Sequence, residues 1–368
     1  MMMTVLVFLT AAVLLGVLTY LWRKYISGGM CTSQARLDRK TVIITGANTG
    51  IGKETALDLA ARGARVILAC RDIKRGQEAA AEIRAQVPNA EVVVRRLDLA
   101  SLQSVKEFAQ RIYETEERLD VLINNAGVAW CPRGSTQDGF ELHFGVNHLG
   151  HFLLTNLLLD LLVKSGPSRI VIVSARCHQH GYMNWEDINW EERYSPFAAY
   201  NQSKLANHLF TRELSQRLEG TGVTVNCLHP GVVKTDIAKY IFFKEWNHVA
   251  FCWLYFLLFK NPREGAQTSI FCAVDESLEG KTGLYFSDCK EKEMAPLAKD
   301  KELAKKVWDL SAELVGLNEQ ECWPHTQLQS RRKHVDLLQT KWEEFPFNNN
   351  DICVMDRCEP IEHCLRQG

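Results

Sequence analysis

The sequence predicts an α/β fold: a single Rossmann-like, doubly wound parallel sheet with helices on both faces, preceded by an N-terminal transmembrane helix. Three observations support this prediction. From residue 39 onward, short β-branched segments alternate with longer helical ones, the pattern of repeated βαβ units. A glycine-rich turn joins the first of these strands to the first of these helices. Residues 4–22 carry no charged side chain and are numerous enough to cross a bilayer as a helix.

The apolar N-terminal run ends at Trp22 and is followed at once by Arg23 and Lys24. As a helix, its 19 residues are about 28 Å long, close to the hydrocarbon thickness. The alternative is a cleaved signal peptide, but the run has neither basic residues before it nor an A-x-A-like site after it. The basic pair favours an anchor whose following chain stays cytosolic. A glycosylation sequon at residues 201–203 agrees, because a lumenal chain would risk a glycan there.

Composition excludes some classes of protein. The net charge of −1 over 368 residues gives no general attraction to nucleic acid. The twelve cysteines form no C-x-x-C pair, which is typical of reduced thiols in a protein that faces the cytosol. We divide the chain into a membrane anchor (1–24), a polar linker (25–38), one α/β domain (39–317) and a C-terminal tail without an assigned role (318–368).

Strands and helices alternate through the predicted domain. Strands are predicted at residues 41–45, 65–70, 91–96, 119–124, 169–174, 223–228 and 284–286. Helices are predicted at residues 50–62, 74–86, 101–117, 140–164 and about 200–218. Beyond residue 318 the pattern weakens, with one amphipathic helix predicted at 328–342.

The tail also contains a group of metal-ligating residue types. They are Cys353, Cys358, His363 and Cys364. Their spacing matches no usual zinc pattern, so the sequence predicts a loose tail and no metal site.

The glycine turn has the context of a nucleotide site. The pattern Gly46-x-x-x-Gly50-x-Gly52 lies between a predicted strand and a predicted helix. Small residues let the backbone approach a pyrophosphate, and the helix N-terminus supplies unpaired N–H groups and a positive dipole end. The predicted cofactor-binding residues of this turn are Gly46, Asn48, Thr49, Gly50, Ile51 and Gly52.

The end of the second strand determines the choice of cofactor. Enzymes that use the 2′-hydroxyl of NAD place a carboxylate there. Here the strand ends Ala69-Cys70-Arg71-Asp72, and Arg71 can pair with a 2′-phosphate. The sequence therefore favours NADP(H), although Asp72, directly beside Arg71, keeps NAD open.

Tyr200 and Lys204 are candidates for proton transfer. Four residues apart, they lie on one face of the predicted helix. A phenol ordinarily has a pKa near 10, and a neighbouring ammonium stabilises its anion. The pair thus predicts a tyrosine that can give and take a proton near neutral pH.

Several motifs occur in a fixed order along the chain. They are the glycine turn, Leu97-Asp98-Leu99, Asn124-Asn125-Ala126-Gly127, Asn147, Tyr200-x-x-x-Lys204 and His229-Pro230-Gly231. Together they resemble the short-chain dehydrogenase/reductase family over roughly residues 39–315. The anchor and the segments at 145–152, 263–268 and 285–289 resemble more narrowly the microsomal retinol dehydrogenase group.

The resemblance implies roles for these residues. Tyr200 would exchange a proton with the substrate oxygen, Lys204 would bind the nicotinamide ribose and lower the pKa of Tyr200, and Asn147 would hold a water relayed to Lys204. Further cofactor contacts are implied for Asp98, Leu99, Asn125, Ala126, Gly127, Pro230, Gly231 and Thr235. The implied function is a membrane-anchored, NADP(H)-dependent oxidoreductase of the endoplasmic reticulum, with its catalytic domain facing the cytosol. Its substrate would be a hydrophobic, retinoid-like alcohol/aldehyde pair.

One position departs from the family pattern. The family holds the substrate oxygen with a serine that is usually the second of a Val-Ser-Ser run, and this chain has Val173-Ser174-Ala175. Successive side chains of a strand point to opposite faces, so Ser174 replaces that hydroxyl only if a bulge turns it inward. Cys177 and His178 are other candidate donors. Because loss of one oxyanion donor costs about 10²–10³ in rate, a cofactor-binding pseudoenzyme is the alternative function.

An apolar, aromatic run at residues 250–259 precedes the last predicted strand. It is too short to span a bilayer. It is either a buried helix or an apolar lid that dips into the membrane interface and admits lipid. In both cases it would line the region where the family binds substrate, which favours a hydrophobic substrate.

Overall fold

The structure is a computed structural model that describes residues 2–235 and 257–317. Its helices are α1 (Met2–Ser27), α2 (Gly50–Ala61), α3 (Ile73–Gln86), α4 (Leu102–Thr115), α5 (Gly150–Lys164), α6 (Pro196–Arg217), α7 (Pro262–Val274) and α8 (Lys301–Val315). Its strands are β1 (Thr41–Thr45), β2 (Arg65–Cys70), β3 (Val92–Arg96), β4 (Val121–Asn124), β5 (Ser168–Val173), β6 (Val223–His229), β7 (Tyr285–Ser287) and β8 (Lys290–Lys292). Helices α2 to α6 and strands β1 to β7 agree closely with the predicted alternation, whereas α7 and α8 were not predicted.

The strands form one sheet in the order β3-β2-β1-β4-β5-β6-β7-β8. The pairs from β3 to β7 are parallel, which confirms the predicted doubly wound sheet. The last strand, β8, pairs antiparallel with β7 and was not predicted. Its three residues are charged and exposed, so it lacks the apolar alternation of a strand. Asp288 and Cys289 both have φ near +55°, the two-residue turn that a tight hairpin requires.

Helices cover both faces of the sheet because successive strand residues point in opposite directions. Ile43, Leu122 and Ile170 pack with helices α4, α5, α6 and α8. Their neighbours Val42 and Val171 pack on the other face, with α2, α3 and α7. The central strands are therefore apolar on both sides, as buried parallel strands are.

The helix predicted at residues 140–164 has two parts. Phe144–Leu149 forms a π-helical turn, and α5 follows it from Gly150. A Cβ at Gly150 would lie 2.7 Å from the Leu99 carbonyl oxygen, so the helix approaches the end of the β3 segment very closely there. Single π-turns inside helices occur often at functional sites. This turn contains Asn147.

Among the described residues, two helical segments are long and apolar enough to cross a membrane. Phe144–Lys164 is 83% buried and is a core helix of the domain, whereas Met3–Ser27 has a mean hydropathy of 2.3 and is not buried. Helix α1 continues to Ser27, beyond the predicted anchor boundary at residue 24. The predicted helix at 328–342, the cysteines and histidine of the tail, and residues 250–256 of the apolar run lie outside the described residues.

Candidate active site

The glycine turn packs against segments that are distant in the sequence. Gly46 has φ +65°, and a Cβ there would lie 2.9 Å from the Ala126 Cα. A Cβ at Gly52 would lie 2.6 Å from Asn125 Nδ2, and one at Gly50 would lie 3.1 Å from Thr235 Cγ2. The fold therefore brings together predicted cofactor residues from three separate motifs.

A buried threonine at the end of β1 organises this contact. Thr45 Oγ1 accepts the backbone N–H groups of Asn125 and Ala126, both at 2.9 Å. Asn125 Nδ2 donates in turn to the Thr45 carbonyl oxygen at 2.8 Å. Thr45 Oγ1 also lies 2.8 Å from His151 Nε2. Because a carbonyl only accepts, the bond from His151 Nδ1 to the Asn147 oxygen makes Thr45 the donor to Nε2. Thr45 and His151 were not among the predicted site residues, because their roles depend on contacts between distant segments.

The start of helix α2 is open to a ligand. Its N-cap residue, Thr49, makes no side-chain cap hydrogen bond. Unpaired N–H groups at a helix N-terminus suit an anion such as a pyrophosphate. Asn48, Thr49, Gly50 and Ile51 are all partly exposed along this turn. The residues present therefore fit a dinucleotide.

At the end of β2, the two candidate charges differ in their contacts. Asp72 Oδ1 accepts the Arg75 backbone N–H at 3.1 Å and caps helix α3. Arg71 is exposed. Both side chains are exposed, but the Asp72 carboxylate has a structural function as the cap of α3, whereas Arg71 lies at the end of β2 as a charge that a ligand can reach.

Asp98 and Leu99 lie beyond the end of β3. Asp98 Oδ1 accepts the Ala100 backbone N–H at 3.0 Å, and the Asp98 backbone N–H donates to Ser104 Oγ at 3.0 Å. Asp98 remains partly exposed, whereas Leu99 is buried. These contacts hold the turn that leads into α4.

Tyr200 and Lys204 lie side by side in the buried first half of α6. Ser195 caps this helix by accepting the Ala198 backbone N–H, and Pro196 starts it. Tyr200 is 7% exposed and Lys204 is 3% exposed. Lys204 Nζ lies 5.7 Å from the centre of the Tyr200 ring and donates to the Val173 carbonyl oxygen at 3.1 Å.

The electrostatics of this pair differ from the prediction. Burial raises the pKa of Tyr200, and the neighbouring Cys177 adds to that rise. Burial lowers the pKa of Lys204 to about 8. The predicted lowering of the Tyr200 pKa by Lys204 is therefore not found, because burial desolvates the phenol and raises its pKa.

Asn147 connects the Tyr200 helix to the cofactor side. Its Oδ1 accepts the Val128 backbone N–H at 2.8 Å, and its Nδ2 donates to the Val128 oxygen and to Ser203 Oγ, both at 3.0 Å. Ser203 Oγ donates to the Tyr200 carbonyl oxygen at 2.8 Å. An unbroken series of contacts thus runs from the glycine turn through residues 126–128 and Asn147 to Tyr200.

Comparison with known proteins agrees with this geometry. Residues 40–246 match the family model described as short chain dehydrogenase. The chain belongs to the short chain dehydrogenase family. Folds of this family hold a nicotinamide cofactor, which is the class of ligand that the glycine turn fits.

The chain is also similar to individual family members. It is 53% identical over 300 residues to retinol dehydrogenase 13 of Homo sapiens, covering 81% of this chain and 91% of that protein. A crystal structure of an uncharacterized protein from Mycobacterium paratuberculosis has a TM-score of 0.63 and 36% identity, covering 79% of this chain and 98% of that one. A short chain dehydrogenase from Escherichia coli CFT073, in complex with NADPH, has a TM-score of 0.55 and 26% identity, covering 70% and 99%.

In this short chain dehydrogenase, Ser174 makes a contact that differs from the predicted substrate-facing one. Its side chain is buried, and Oγ donates to the Lys204 carbonyl oxygen at 3.0 Å. The β5 pairing continues through the Ser174 backbone N–H, which donates to the Leu228 oxygen at 2.7 Å. The strand persists, so the inward bulge considered from the sequence is not observed, and the hydroxyl is held by the backbone of α6.

The other two candidate donors lie in the 3₁₀ turn Arg176–His180, directly after Ala175. His178 Nδ1 donates to the Ala175 carbonyl oxygen at 2.9 Å, and Nε2 accepts the Ala295 backbone N–H at 3.4 Å. Both ring nitrogens are therefore engaged. Cys177 is partly exposed, and burial raises the pKa of its thiol to about 11, so it keeps its proton at neutral pH.

Aromatic rings that were not among the predicted site residues cover one side of Tyr200. The Trp130 ring lies 5.3 Å from Tyr200 and 6.1 Å from Phe197, measured between ring centres. Phe197 is 58% exposed, so the three rings form a path from solvent to the buried phenol. Trp130 has φ +52°, which is uncommon outside glycine and is often tolerated at functional sites. His143 adds an edge contact to Tyr200, with its Nδ1 2.6 Å from the buried Glu141 carboxylate.

The segment after β6 closes the predicted cofactor site. Pro230 is buried, and Gly231 has φ +94°. The positive φ favours glycine at this position, and a Cβ at Gly231 would lie 2.8 Å from Lys260 Cδ, so the lysine side chain would have to shift. Thr235 lies beside Gly50, so this segment reaches the glycine turn. Its implied position at the nicotinamide end stays a prediction.

Proposed function

We propose that this protein is a membrane-anchored, NADP(H)-dependent oxidoreductase that interconverts a hydrophobic alcohol and its aldehyde, with retinoids as the substrate class. The observation that carries the proposal is the continuous set of contacts between the glycine turn and the buried Tyr200–Lys204 pair. The relative named retinol dehydrogenase 13, at 53% identity, supports the choice of substrate class.

In this proposal, the nicotinamide cofactor, when bound, supplies or accepts the hydride. Tyr200 donates a proton to the substrate oxygen during reduction and takes it back during oxidation. Lys204, held through Nζ on the Val173 oxygen, binds the nicotinamide ribose and supplies positive charge beside the phenol. Its lowered pKa, about 8, makes it a group that can exchange protons near neutral pH. Asn147 keeps Ser203, and through it the backbone of Tyr200, in place, and it is the predicted holder of a relay water.

The cofactor-holding residues are proposed from position and chemistry. The glycine turn and the open start of α2 would hold the pyrophosphate. Arg71, exposed at the end of β2, would pair with the 2′-phosphate of NADP(H), because Asp72 is occupied in capping α3. Asp98 with Leu99, residues 125–127, and Pro230, Gly231 and Thr235 would line the rest of the dinucleotide.

The aromatic path favours an apolar, conjugated substrate. Flat aromatic faces bury a large apolar area when they pack against an extended apolar molecule. Trp130 and Phe197 offer these faces next to the Tyr200 phenol. A substrate aligned along them would bring its oxygen toward that phenol.

The proposed location is the endoplasmic reticulum membrane, with the α/β domain on the cytosolic side. Helix α1 has the length and hydropathy of a span, and Arg23 with Lys24 follows its apolar part.

The decisive experiment is a turnover assay on the full-length protein in liposomes, with NADPH or NADH and with retinal or a long-chain aldehyde. We expect NADPH-dependent reduction, and at least about a tenfold preference over NADH, the effect of one charge-assisted contact of about 1.5 kcal/mol. Arg71→Ala should remove most of that preference and leave NADH turnover unchanged. NADPH binding without turnover of any of these aldehydes would instead support the pseudoenzyme alternative.

A further inference from the structure

The cytosolic end of α1 is fastened to the α/β domain. Trp22 Nε1 donates to the Leu257 carbonyl oxygen at 2.7 Å. Arg23 Nη2 and Ser27 Oγ both donate to Glu264 Oε1, at 2.5 and 2.7 Å. The Arg23 and Glu264 side chains are only 11% and 15% exposed, so this is a largely desolvated ion pair. The two side chains of such a pair are held in one geometry, whereas the side chains of an exposed ion pair move more freely.

The chain directly after α1 is held as closely. Gly28 has φ +70°, and a Cβ there would lie 2.0 Å from Asp288 Oδ1 and 2.7 Å from Lys260 Nζ. Asp288 and Lys260 form an ion pair in which the Lys260 side chain is 6% exposed. At the next residue, a Cβ at Gly29 would lie 2.0 Å from the Asp288 carbonyl oxygen, so the backbone there has no room for a side chain. The predicted linker begins with a packed junction.

The junction also fixes the level of the membrane relative to the domain. Tryptophan and tyrosine at the end of an apolar span mark the membrane–water interface, and Trp22 and Tyr25 occupy these positions in α1. Because Trp22 is bonded to Leu257, Leu257 and the following Leu258 lie at that level. Leu258 is 46% exposed there. An exposed leucine at interface depth suits contact with lipid.

The same segment leads directly to the candidate active site. The Lys260 backbone N–H donates to the Val232 oxygen at 2.9 Å, and the Lys234 backbone N–H donates to the Lys260 oxygen at 3.0 Å. Val232 is 62% exposed and follows Gly231, which is predicted to border the nicotinamide. These two backbone hydrogen bonds therefore connect the segment at the membrane interface to the nicotinamide end of the site.

We propose that the contacts of Trp22, Arg23, Ser27 and Gly28 with Leu257, Lys260, Glu264 and Asp288 form a rigid membrane seat. The seat holds Leu258 and Val232 against the lipid surface, so that a hydrophobic substrate reaches the site from the bilayer and not from water. This inference rests on the proposed membrane attachment and hydrophobic substrate, and the partner is the lipid interface itself.

Glu264→Gln tests the seat without removing the helix cap. Glu264 Oε2 accepts the Asn261 backbone N–H in a capping box, and glutamine also serves at that position. In liposomes, we expect Glu264→Gln and Arg23→Gln each to lower kcat/KM for membrane-partitioned retinal by about tenfold, from loss of a charge-assisted bond. Turnover of a short, water-soluble aldehyde should stay within about twofold. Arg36→Gln is the matched control, because its ion pair with Asp38 is more than 60% exposed.

Leu258→Glu tests the lipid contact, with Leu297→Glu as its control. Leu297 has the same exposed fraction, 46%, but lies in a 3₁₀ turn on the opposite face of the sheet, beside α6 and α8. We expect only Leu258→Glu to lower retinal turnover selectively. Equal effects of the two substitutions, or equal loss for both aldehydes, would overturn the inference while leaving the proposed function intact.

Hydrogen exchange tests the seat independently of activity. In lipid nanodiscs, we expect the backbone N–H groups of residues 28–33 and 257–264 to exchange slowly in the wild type and at least about tenfold faster in Glu264→Gln. Fast exchange in the wild type would contradict a packed seat even if the enzyme is active. Slow exchange in a protein without turnover would support the seat and refute the proposed function.

Discussion

The two halves of the sheet differ in the kind of contact that shapes the proposed cofactor and substrate sites. In the cofactor half (β1 to β3 with α2 and α3), the decisive contacts involve backbone groups, as where Gly46 lies against Ala126 without room for a side chain. In the substrate half (β5 to β7 with α6), the decisive contacts are between side chains, such as the rings of Trp130, Phe197 and Tyr200. The first half tolerates almost no substitution at its turn, whereas the second can be altered while the fold persists.

Ala175 illustrates this tolerance. The family pattern calls for a hydroxyl at this position, yet β5 and its pairing with β6 continue normally up to it. Its φ of −153° is ordinary extended backbone. Chemistry in the substrate half can therefore change without structural cost, and the following predictions use this difference.

Tyr200→Phe should have the largest effect. It removes the only atom of Tyr200 that can carry the proton but preserves the ring that packs on Trp130. Loss of a general acid–base group costs about 10²–10⁴ in rate, so kcat should fall by about that factor while the Kd for NADPH stays within a few-fold. Steady-state kinetics and cofactor titration measure both quantities.

Tyr194→Phe is the control for that substitution. The Tyr194 hydroxyl donates to the Cys131 carbonyl oxygen at 2.7 Å, beside the site. Its loss should cost about 1 kcal/mol of stability and little rate. Equal loss of kcat in the two variants would contradict the assignment of proton transfer to Tyr200.

Ala175→Ser should have the next largest effect, in the opposite direction. A new hydroxyl at the family position would restore an oxyanion donor, so kcat should rise by up to about 10². Ser174→Ala distinguishes the alternatives, because it removes only a hydroxyl bonded to the Lys204 oxygen. If Ser174→Ala abolishes turnover and Ala175→Ser adds nothing, Ser174 is the substrate-binding hydroxyl after all. A silent wild type that Ala175→Ser activates would make the natural protein a pseudoenzyme.

Gly46→Ala should have a smaller effect, confined to the cofactor half. Its φ of +65° costs a non-glycine residue about 1–2 kcal/mol, and the new Cβ would also press on Ala126. Gly220→Ala is the matched control, because Gly220 has φ +77° and nothing within 4 Å of an added Cβ. Both variants should lose similar backbone stability. Only Gly46→Ala should weaken NADPH binding, by roughly tenfold or more, as measured by fluorescence titration.

The same division explains what the sequence could predict. The glycine turn, the strands β1 to β6 and the pairing of Tyr200 with Lys204 follow from local spacing, and the structure contains them all. The contact of Thr45 with His151 depends on residues more than 100 positions apart, and no local pattern signals it. The charged strand β8 and the raised pKa of Tyr200 likewise result from tertiary pairing and burial, which a single sequence does not display.

The smallest predicted effect is a pH dependence of stability that arises from histidines. These residues differ between the two halves of the sheet. Residues 1–142 contain no histidine, whereas His178 and His208 stack in the substrate half with ring centres 3.7 Å apart. Burial lowers the pKa of both rings, and His178 lowers the pKa of His208 further. His229, Lys204 and His180 also face this pair and act in the same direction. The folded state therefore favours the neutral, unprotonated form of both rings.

Acidification should consequently loosen the substrate half first. Because the folded pKa lies below the unfolded value of about 6.5, the stabilisation is present above pH 6.5 and is lost as pH falls toward the folded pKa. The His208 ring, whose pKa is lowered well below its ordinary value, should remove about 0.7 kcal/mol between pH 7 and pH 6, and His178 should act in the same direction. After correction for intrinsic rates, hydrogen exchange in β6, β7 and α6 should accelerate at pH 6, while β1 to β3 change less. His178→Phe, which keeps an aromatic ring but cannot be protonated, should reduce this response, and an equal response in both halves would show that the histidine stack does not cause it.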